Sequence, residues 1–346
     1  MISSRKLTAG NQLPSQSHIV KQFKVSRSCV NKALNHLHKK GLISKIPGKG
    51  NFVFSDEKAP KEVKRLLYLV ESNMLRSWTG YDDYGFETMC GIEEECRNRK
   101  IGFGLRSVSP EEYENLPLIV KELDIDGVIA RYTIPEEQVR AIASMKLPVV
   151  YIDIPFYAPD IGCSMINYYD AYITLVEKLE SNGIRKVTFF YPETSKYGLE
   201  IRNAVNTVQN IYPKLKIRNA DFSVPRVPYN ANLDMEMITA AVKKIISSKT
   251  LPEVFICNTD YIAEKLMKAL KENGLIVPYN VQIVGGLWLN LAQNTVPPLS
   301  SLIANAELLG RNAVEILCAM AKDNNNEKIK RIPMFYKSGG TCILLK

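Results

Sequence analysis

The stretch VSRSCVNKALNHLHKKGLISKIPGKGNFV, Val25 to Val53, carries six lysines or arginines and not one aspartate or glutamate. Its apolar residues are periodic. Val30, Ala33, Leu34 and Leu37 fall at i, i+3, i+4 and i+7, which predicts a helix from about Arg27 to Lys40 with those four as its buried stripe. Ser26 is placed to cap it, and Gly41 to stop it. Arg27, Ser28, Asn31, Lys32 and Asn35 lie away from the stripe. Leu42–Ile46 and Asn51–Phe54 read as two short strands joined by Pro47-Gly48-Lys49-Gly50. Upstream, Leu13-Pro14-Ser15 introduces another helix with Ser15 as its cap and Ile19, Val20 and Phe23 as its apolar face.

Two helices with a tight turn followed by a hairpin predict a winged helix-turn-helix, whose second helix fits the major groove of DNA. The charge agrees. Residues 1–55 hold ten basic side chains and no acidic one, whereas the other 291 residues balance 35 basic against 36 acidic groups. The whole excess of the +9 chain therefore sits at one end, as a polyanion partner requires. The expected DNA-binding residues are Ser15, Ser26, Arg27, Ser28, Asn31, Lys32, Lys49 and Gly50. Hydroxyls and a helix N-terminus suit phosphate contact, amide and guanidinium groups suit base edges, and the glycines beside Lys49 let the wing approach closely.

The run from Gly10 to Val53, with its LPS, VSR, KAL, GLI and PGKG-x-FV pieces, resembles the DNA-binding domain of the GntR family. Two departures stand out. The family usually has Glu-Arg where this chain has Gln16-Ser17, which removes a phosphate-contacting arginine. The resemblance also implies a helix ahead of ISSRKL, so the domain is expected with its first helix truncated.

Ser55 to Glu62 is charged, contains proline and reads as a linker. The expected organisation is a winged helix-turn-helix over 1–54, a linker over 55–64 and an effector-binding and dimerisation domain over 65–346. In that domain apolar runs such as Arg65–Val70, Ile101–Arg106, Gly127–Ala130, Pro148–Ile154 and Lys186–Tyr191 alternate with helical patterns. Such alternation predicts an α/β fold with mostly parallel sheets, whose ligands bind beyond the carboxyl ends of the strands.

The phrases GIEEECRNRKIGF, DIDGVIARY, LPVVYIDIPF, LESNGIRKVTFF and CNTDYIAEKLMKALKENGLIVPYNVQIVGG resemble, in order, the effector domain of LacI/GalR repressors. That resemblance implies a two-lobed, periplasmic-binding-protein-like fold. A GntR head on this body is the arrangement of the arabinose-repressor-like subgroup. It further implies a small effector, a sugar or sugar derivative, held by Arg202 in GLEIRNAV and by Thr259 where the family has asparagine. Asp260 is expected to cap the following helix. The family's sugar-binding aspartate is here Leu287, with Trp288 beside it as a stacking surface. From the first lobe, Tyr84 and Phe86 are expected ahead of a helix, Arg131 and Tyr132 after the third strand and Asp153 at the end of the fourth.

Other classes fit less well. The three histidines, His18, His36 and His38, all fall in the basic segment, leaving the body no imidazole base, and P-loop, GxGxxG and GxSxG motifs are missing. Paired carboxylates keep an enzyme as an alternative. A secreted solute-binding protein with weak DNA binding is another, although no apolar leader is evident. The seven scattered cysteines, without a CxxC, read as reduced, buried thiols. No cofactor, metal or membrane segment is expected. The expectation is a cytoplasmic, homodimeric, effector-responsive regulator, a repressor acting on a double-stranded operator.

Overall fold

The computed structural model describes residues 12–39, 43–46, 50–53, 62–72, 83–153, 158, 160–192, 198–222, 231–287, 290–322 and 328–344. The chain divides into two compact units, Met1–Lys61 and Glu62–Lys346.

The smaller unit contains α1 (Gln16–Phe23), α2 (Arg27–Lys39), β1 (Ile43–Ile46) and β2 (Gly50–Val53). Ser15 caps α1 by accepting from the His18 amide at 3.2 Å, and Lys24 ends it in the left-handed region at φ 50°. Ser26 caps α2 by accepting from the Cys29 amide at 3.1 Å. The strands pair antiparallel from Ile43 opposite Val53 to Ile46 opposite Gly50. The Leu13 amide donates to the Asn51 carbonyl at 2.8 Å, tying the entry to α1 onto the hairpin. Val30, Leu34 and Ile43 form the core, with Leu13, Ile19, Val20 and Leu37 against them. Ala33 and Phe23 are exposed, contrary to expectation. So small a core covers only the narrow stripe of α2 through positions 30, 34 and 37.

The larger unit is a fold built twice. Lobe one holds β3 (Arg65–Glu71), α3 (Asp83–Asn98), β4 (Gly102–Val108), a 3-10 turn (Pro110–Asn115), α4 (Leu116–Glu122), β5 (Gly127–Arg131), α5 (Glu136–Ala143), β6 (Val149–Asp153) and β7 (Ile161–Ile166). Its sheet, ordered β13-β7-β6-β5-β3-β4, is parallel throughout, with β13 being Ile329–Ile332. Lobe two follows with α6 (Tyr168–Ser181), β8 (Lys186–Pro192), α7 (Gly198–Ile211), β9 (Lys216–Phe222), α8 (Ala231–Ser247), β10 (Val254–Cys257), α9 (Asp260–Glu272), β11 (Gln282–Gly286), α10 (Asn290–Asn294) and β12 (Ser300–Ala304). Then come α11 (Ala306–Ala321) and β14 (Met334–Lys337), which pairs antiparallel to β12 at the edge of the order β14-β12-β11-β10-β8-β9. The helical stretch between β4 and β5 is divided between the 3-10 turn and α4, with Pro117 in the first turn of α4, where a missing amide costs little. Strands β7, β9, β12, β13 and β14 and helix α8 lack the patterns that the sequence reading used.

Both lobes anchor their first strand in the same way. Asp126, just before β5, accepts from the amides of Lys64 and Arg65 at 2.9 and 3.0 Å. Glu253, just before β10, accepts from Arg185 and Lys186 at 2.6 and 2.7 Å. A carboxylate taking two backbone donors is a charge-assisted clamp.

The chain passes between the lobes three times, each time through a single residue. Asn167 joins β7 to α6, Asn305 joins β12 to α11, and Pro333 joins β13 to β14. Asn167 and Asn305 also cap the helices that follow, accepting from the Asp170 and Leu308 amides. Each helix packs on the lobe that its preceding strand does not belong to. Tyr172 of α6 meets Phe189 of β8 edge-on at 5.4 Å, while Arg311 of α11 donates to Glu94 of α3. Because β7, β12 and β13 all leave at their carboxyl ends, the carboxyl edges of the two sheets adjoin. A continuous apolar core runs from Val128 and Tyr151 in one lobe to Ile256 and Ile283 in the other.

Candidate functional site

On α2, Val30 and Leu34 turn into the core; the helical period turns Ser28 and Lys32 farthest from that stripe and Asn31 to its flank, while Arg27 stands one turn before Val30 at the N-terminal end of the helix. All four are exposed. Ser15 and Ser26 are exposed too, each with its oxygen engaged by a helix amide. Gly50 opens β2 at φ +111°, a conformation that suits glycine. Lys49 lies outside the described residues. The structure thus leaves Arg27, Ser28, Asn31 and Lys32 open to solvent, with no acidic side chain in the first turn of α2.

In the larger unit, polar residues collect where the sheets adjoin. Arg131 ends β5 and Asp153 ends β6, on neighbouring strands. They form a buried ion pair, guanidinium to carboxylate 3.8 Å, with side chains 3% and 2% exposed. The Arg131 guanidinium also lies 5.5 Å from the centre of the Tyr132 ring. Tyr151 fixes the turn that follows, donating to the carbonyls of Tyr132 at 2.8 Å and Ile134 at 3.1 Å. Burial, then the nearby Glu136 and Asp153 carboxylates, push its phenol up, so it remains a donor.

Tyr84 and Phe86 do not precede the helix; both lie in the first turn of α3, because the helix takes in Gly85. Thr88 donates its hydroxyl back to the Tyr84 carbonyl at 2.8 Å. Tyr84 is buried, whereas Phe86 is 48% exposed. Arg202 projects from α7, exposed and with no ion-pair partner among the described residues.

The segment Asn258-Thr259-Asp260 differs from expectation. Thr259, not Asp260, caps α9: its backbone is extended (φ −141°, ψ 155°) and its hydroxyl accepts from the Ile262 amide at 3.3 Å. Asp260 is already inside the helix, fully buried, and accepts from the Ser301 hydroxyl at 2.7 Å. Leu287 has φ +77° and donates its amide to the Leu302 carbonyl at 2.7 Å, packed against the core. Trp288 lies outside the described residues. Asn258 was absent from the sequence-based set. It is 7% exposed, and its side-chain oxygen has no hydrogen-bond partner among the described residues. The only signal for it in the sequence is its place directly after the apolar run of β10.

The thiols do not form a reactive centre. Cys96 and Cys257 are buried, and burial pushes the Cys96 thiol up to about 12. Cys29 departs from the expectation of buried thiols and is exposed on α2. Among the described residues no cluster of three or more metal-ligating side chains occurs, and no helix is long and apolar enough to cross a membrane.

Residues 1–53 match the family described as bacterial regulatory proteins, gntR family. Residues 176–342 match the periplasmic binding protein-like domain. The HTH-type transcriptional regulator GalR of Lacticaseibacillus casei is 27% identical over 69% of this chain and 70% of its own length. The arabinose metabolism transcriptional repressor of Geobacillus stearothermophilus is 23% identical and covers nearly everything, 95% of this chain and 90% of its own. In fold, the lac repressor dimer bound to operator and the anti-inducer ONPF superposes with a TM-score of 0.66 at 16% identity, over 81% of this chain and 94% of that one. The chain therefore combines a match to the gntR family over residues 1–53 with a match to the periplasmic binding protein-like domain over residues 176–342, and is similar along nearly its whole length to an arabinose metabolism transcriptional repressor.

Proposed function

We propose that this chain is a transcription regulator, a repressor, whose head reads a double-stranded operator and whose body binds a small effector between its lobes. The observation that carries the reading is the face of α2. A reading helix with Arg27, Ser28, Asn31 and Lys32 outward, in a segment of ten basic and no acidic residues, has the chemistry of groove and phosphate contact. Operator half-sites related by a two-fold axis would follow from a homodimer. The effector is a sugar or sugar derivative that meets Arg131, Asp153 and Tyr84 from lobe one and Arg202 and the segment around Thr259 from lobe two. It acts only to the extent that it binds one conformational state better than the other. A small-molecule sensor of this kind works in the cytoplasm, and its relatives by name are regulators rather than enzymes.

The test is selection of bound sequences from random DNA by the full chain, followed by titration of the selected duplex against L-arabinose, D-ribose, D-galactose, cellobiose, uronic acids and sugar phosphates. Enrichment of a two-fold-symmetric site, released or tightened by one compound, is the expected result. A saturating effector at about 100 times its Kd also raises stability by about 2.7 kcal/mol. Binding without sequence preference overturns the operator reading; melting and operator affinity unchanged by every compound overturns the sugar reading.

A further inference from the structure

Three consecutive polar residues follow β10, and two of them have structural work. Thr259 is held as the cap of α9. Asp260 is sealed beneath Gly285 and bonded to Ser301. Asn258 differs: its backbone is fixed, its side chain is nine-tenths buried, and its Oδ1 has no partner among the described residues. The fixing comes from β11. A Cβ on Gly286 would lie 2.6 Å from the Asn258 carbonyl oxygen, so the two strand ends are pressed together and residue 258 cannot relax outward. A buried acceptor left unpaired costs about 1–3 kcal/mol, and native proteins leave few such groups without a reason.

The position supplies the reason. Asn258 stands at the carboxyl edge of the lobe-two sheet, the edge that the crossings at Asn167, Asn305 and Pro333 bring against the carboxyl edge of lobe one. Across that junction lie Arg131 and Asp153, already paired with each other. Beside it, Leu287 offers no polar side chain. The acceptor with no described partner at this edge of lobe two is therefore an amide oxygen, which attracts an O–H and repels a phosphate or carboxylate oxygen.

We propose that Asn258 is a recognition residue of the cleft, its side-chain carbonyl accepting a hydrogen bond from a hydroxyl of a neutral polyhydroxy effector. The assignment rests on the cleft being the effector site, and it moves the polar contact of this segment from Thr259 to its neighbour. Arg202 then meets another part of the ligand.

The experiment compares the full chain with Asn258→Leu, close to the same shape without polar atoms, and Asn258→Asp, which keeps an acceptor oxygen. Melting is followed without additive and with L-arabinose, D-ribose, D-galactose or cellobiose. Without additive, Asn258→Leu is expected to melt at or above the wild-type temperature, because an orphaned polar group has been removed; a clear fall, or failure to fold, shows a structural role and overturns the proposal. With a sugar that shifts the wild type, Asn258→Leu is expected to lose roughly 10–100-fold in affinity, and Asn258→Asp to bind better than Asn258→Leu. Equal affinity in Asn258→Leu and wild type, or an equal loss in both variants, overturns it. Should none of these sugars shift the wild type while a sugar phosphate or uronic acid does, the neutral-ligand assignment fails and the effector site stands. Should nothing shift it, the cleft reading fails, and with it the proposal.

Discussion

Gly285 and Asp260 are packed so closely that a Cβ on the glycine would fall inside the van der Waals shell of the Asp260 Oδ1. That oxygen is also the acceptor for the Ser301 hydroxyl at 2.7 Å. One carboxylate thus fastens the start of α9 to both β11 and β12. Gly285→Ala is expected to destabilise the larger unit by about 1–3 kcal/mol through overpacking, and Asp260→Ala by a similar ~1–3 kcal/mol through the orphaned hydroxyl. Urea denaturation of both variants checks this. Wild-type midpoints would show that the segment relaxes freely.

The head has a small core, so it is sensitive to loss of volume. Leu34→Ala removes one of the three fully buried apolar residues described there and is expected to cost about 2–5 kcal/mol. A 61-residue unit has little to spare. DNA binding should be lost while the melting of the larger unit stays as it was, since the two units have separate cores. Calorimetry together with operator binding separates the two effects.

Arg27→Ala and Lys32→Ala are each expected to weaken binding across all sequences and to lower the slope of log K against log salt by about one. Asn31→Ala should instead reduce discrimination between bases, by about 1–3 kcal/mol at the position it reads. Titrations at several salt concentrations, on selected and scrambled duplexes, distinguish these outcomes. Salt slopes unchanged in both basic variants would remove Arg27 and Lys32 from the phosphate contacts.

Arg202→Ala should abolish the response to effector and leave operator affinity in the absence of effector intact, because the side chain is exposed and has no ion-pair partner among the described residues. Little change in stability is expected, within about 0.5 kcal/mol. A variant that responds with normal effector affinity removes Arg202 from the site.

Cys29 and Cys96 should separate cleanly in alkylation. Burial raises the Cys96 thiol to about 12, so at pH 8 its thiolate fraction is on the order of one in ten thousand, and the thiolate is the reactive form. Cys29 is exposed on α2. Mass spectrometry after brief iodoacetamide treatment should find Cys29 modified and Cys96 untouched, and operator DNA should protect Cys29 if α2 enters the groove.

The sequence by itself determined the local and the electrostatic parts of this protein. Helix caps at Ser15 and Ser26, the stripe of Val30 and Leu34, the hairpin and the segregation of charge all depend on residues near one another in the chain, where period and composition act directly. The strands with unbroken apolar runs, such as Gly127–Arg131 and Val149–Asp153, were legible for the same reason. Tertiary structure decided the rest. Strands β12, β13 and β14 take their form from partners far away in sequence, and the three crossings at Asn167, Asn305 and Pro333 exist only once both sheets are in place. The division of labour among Asn258, Thr259 and Asp260 was equally hidden. Three polar residues in a row each offer an acceptor oxygen on paper, and only the packing of Gly285, Gly286 and Ser301 around them settles which oxygen has no partner among the described residues.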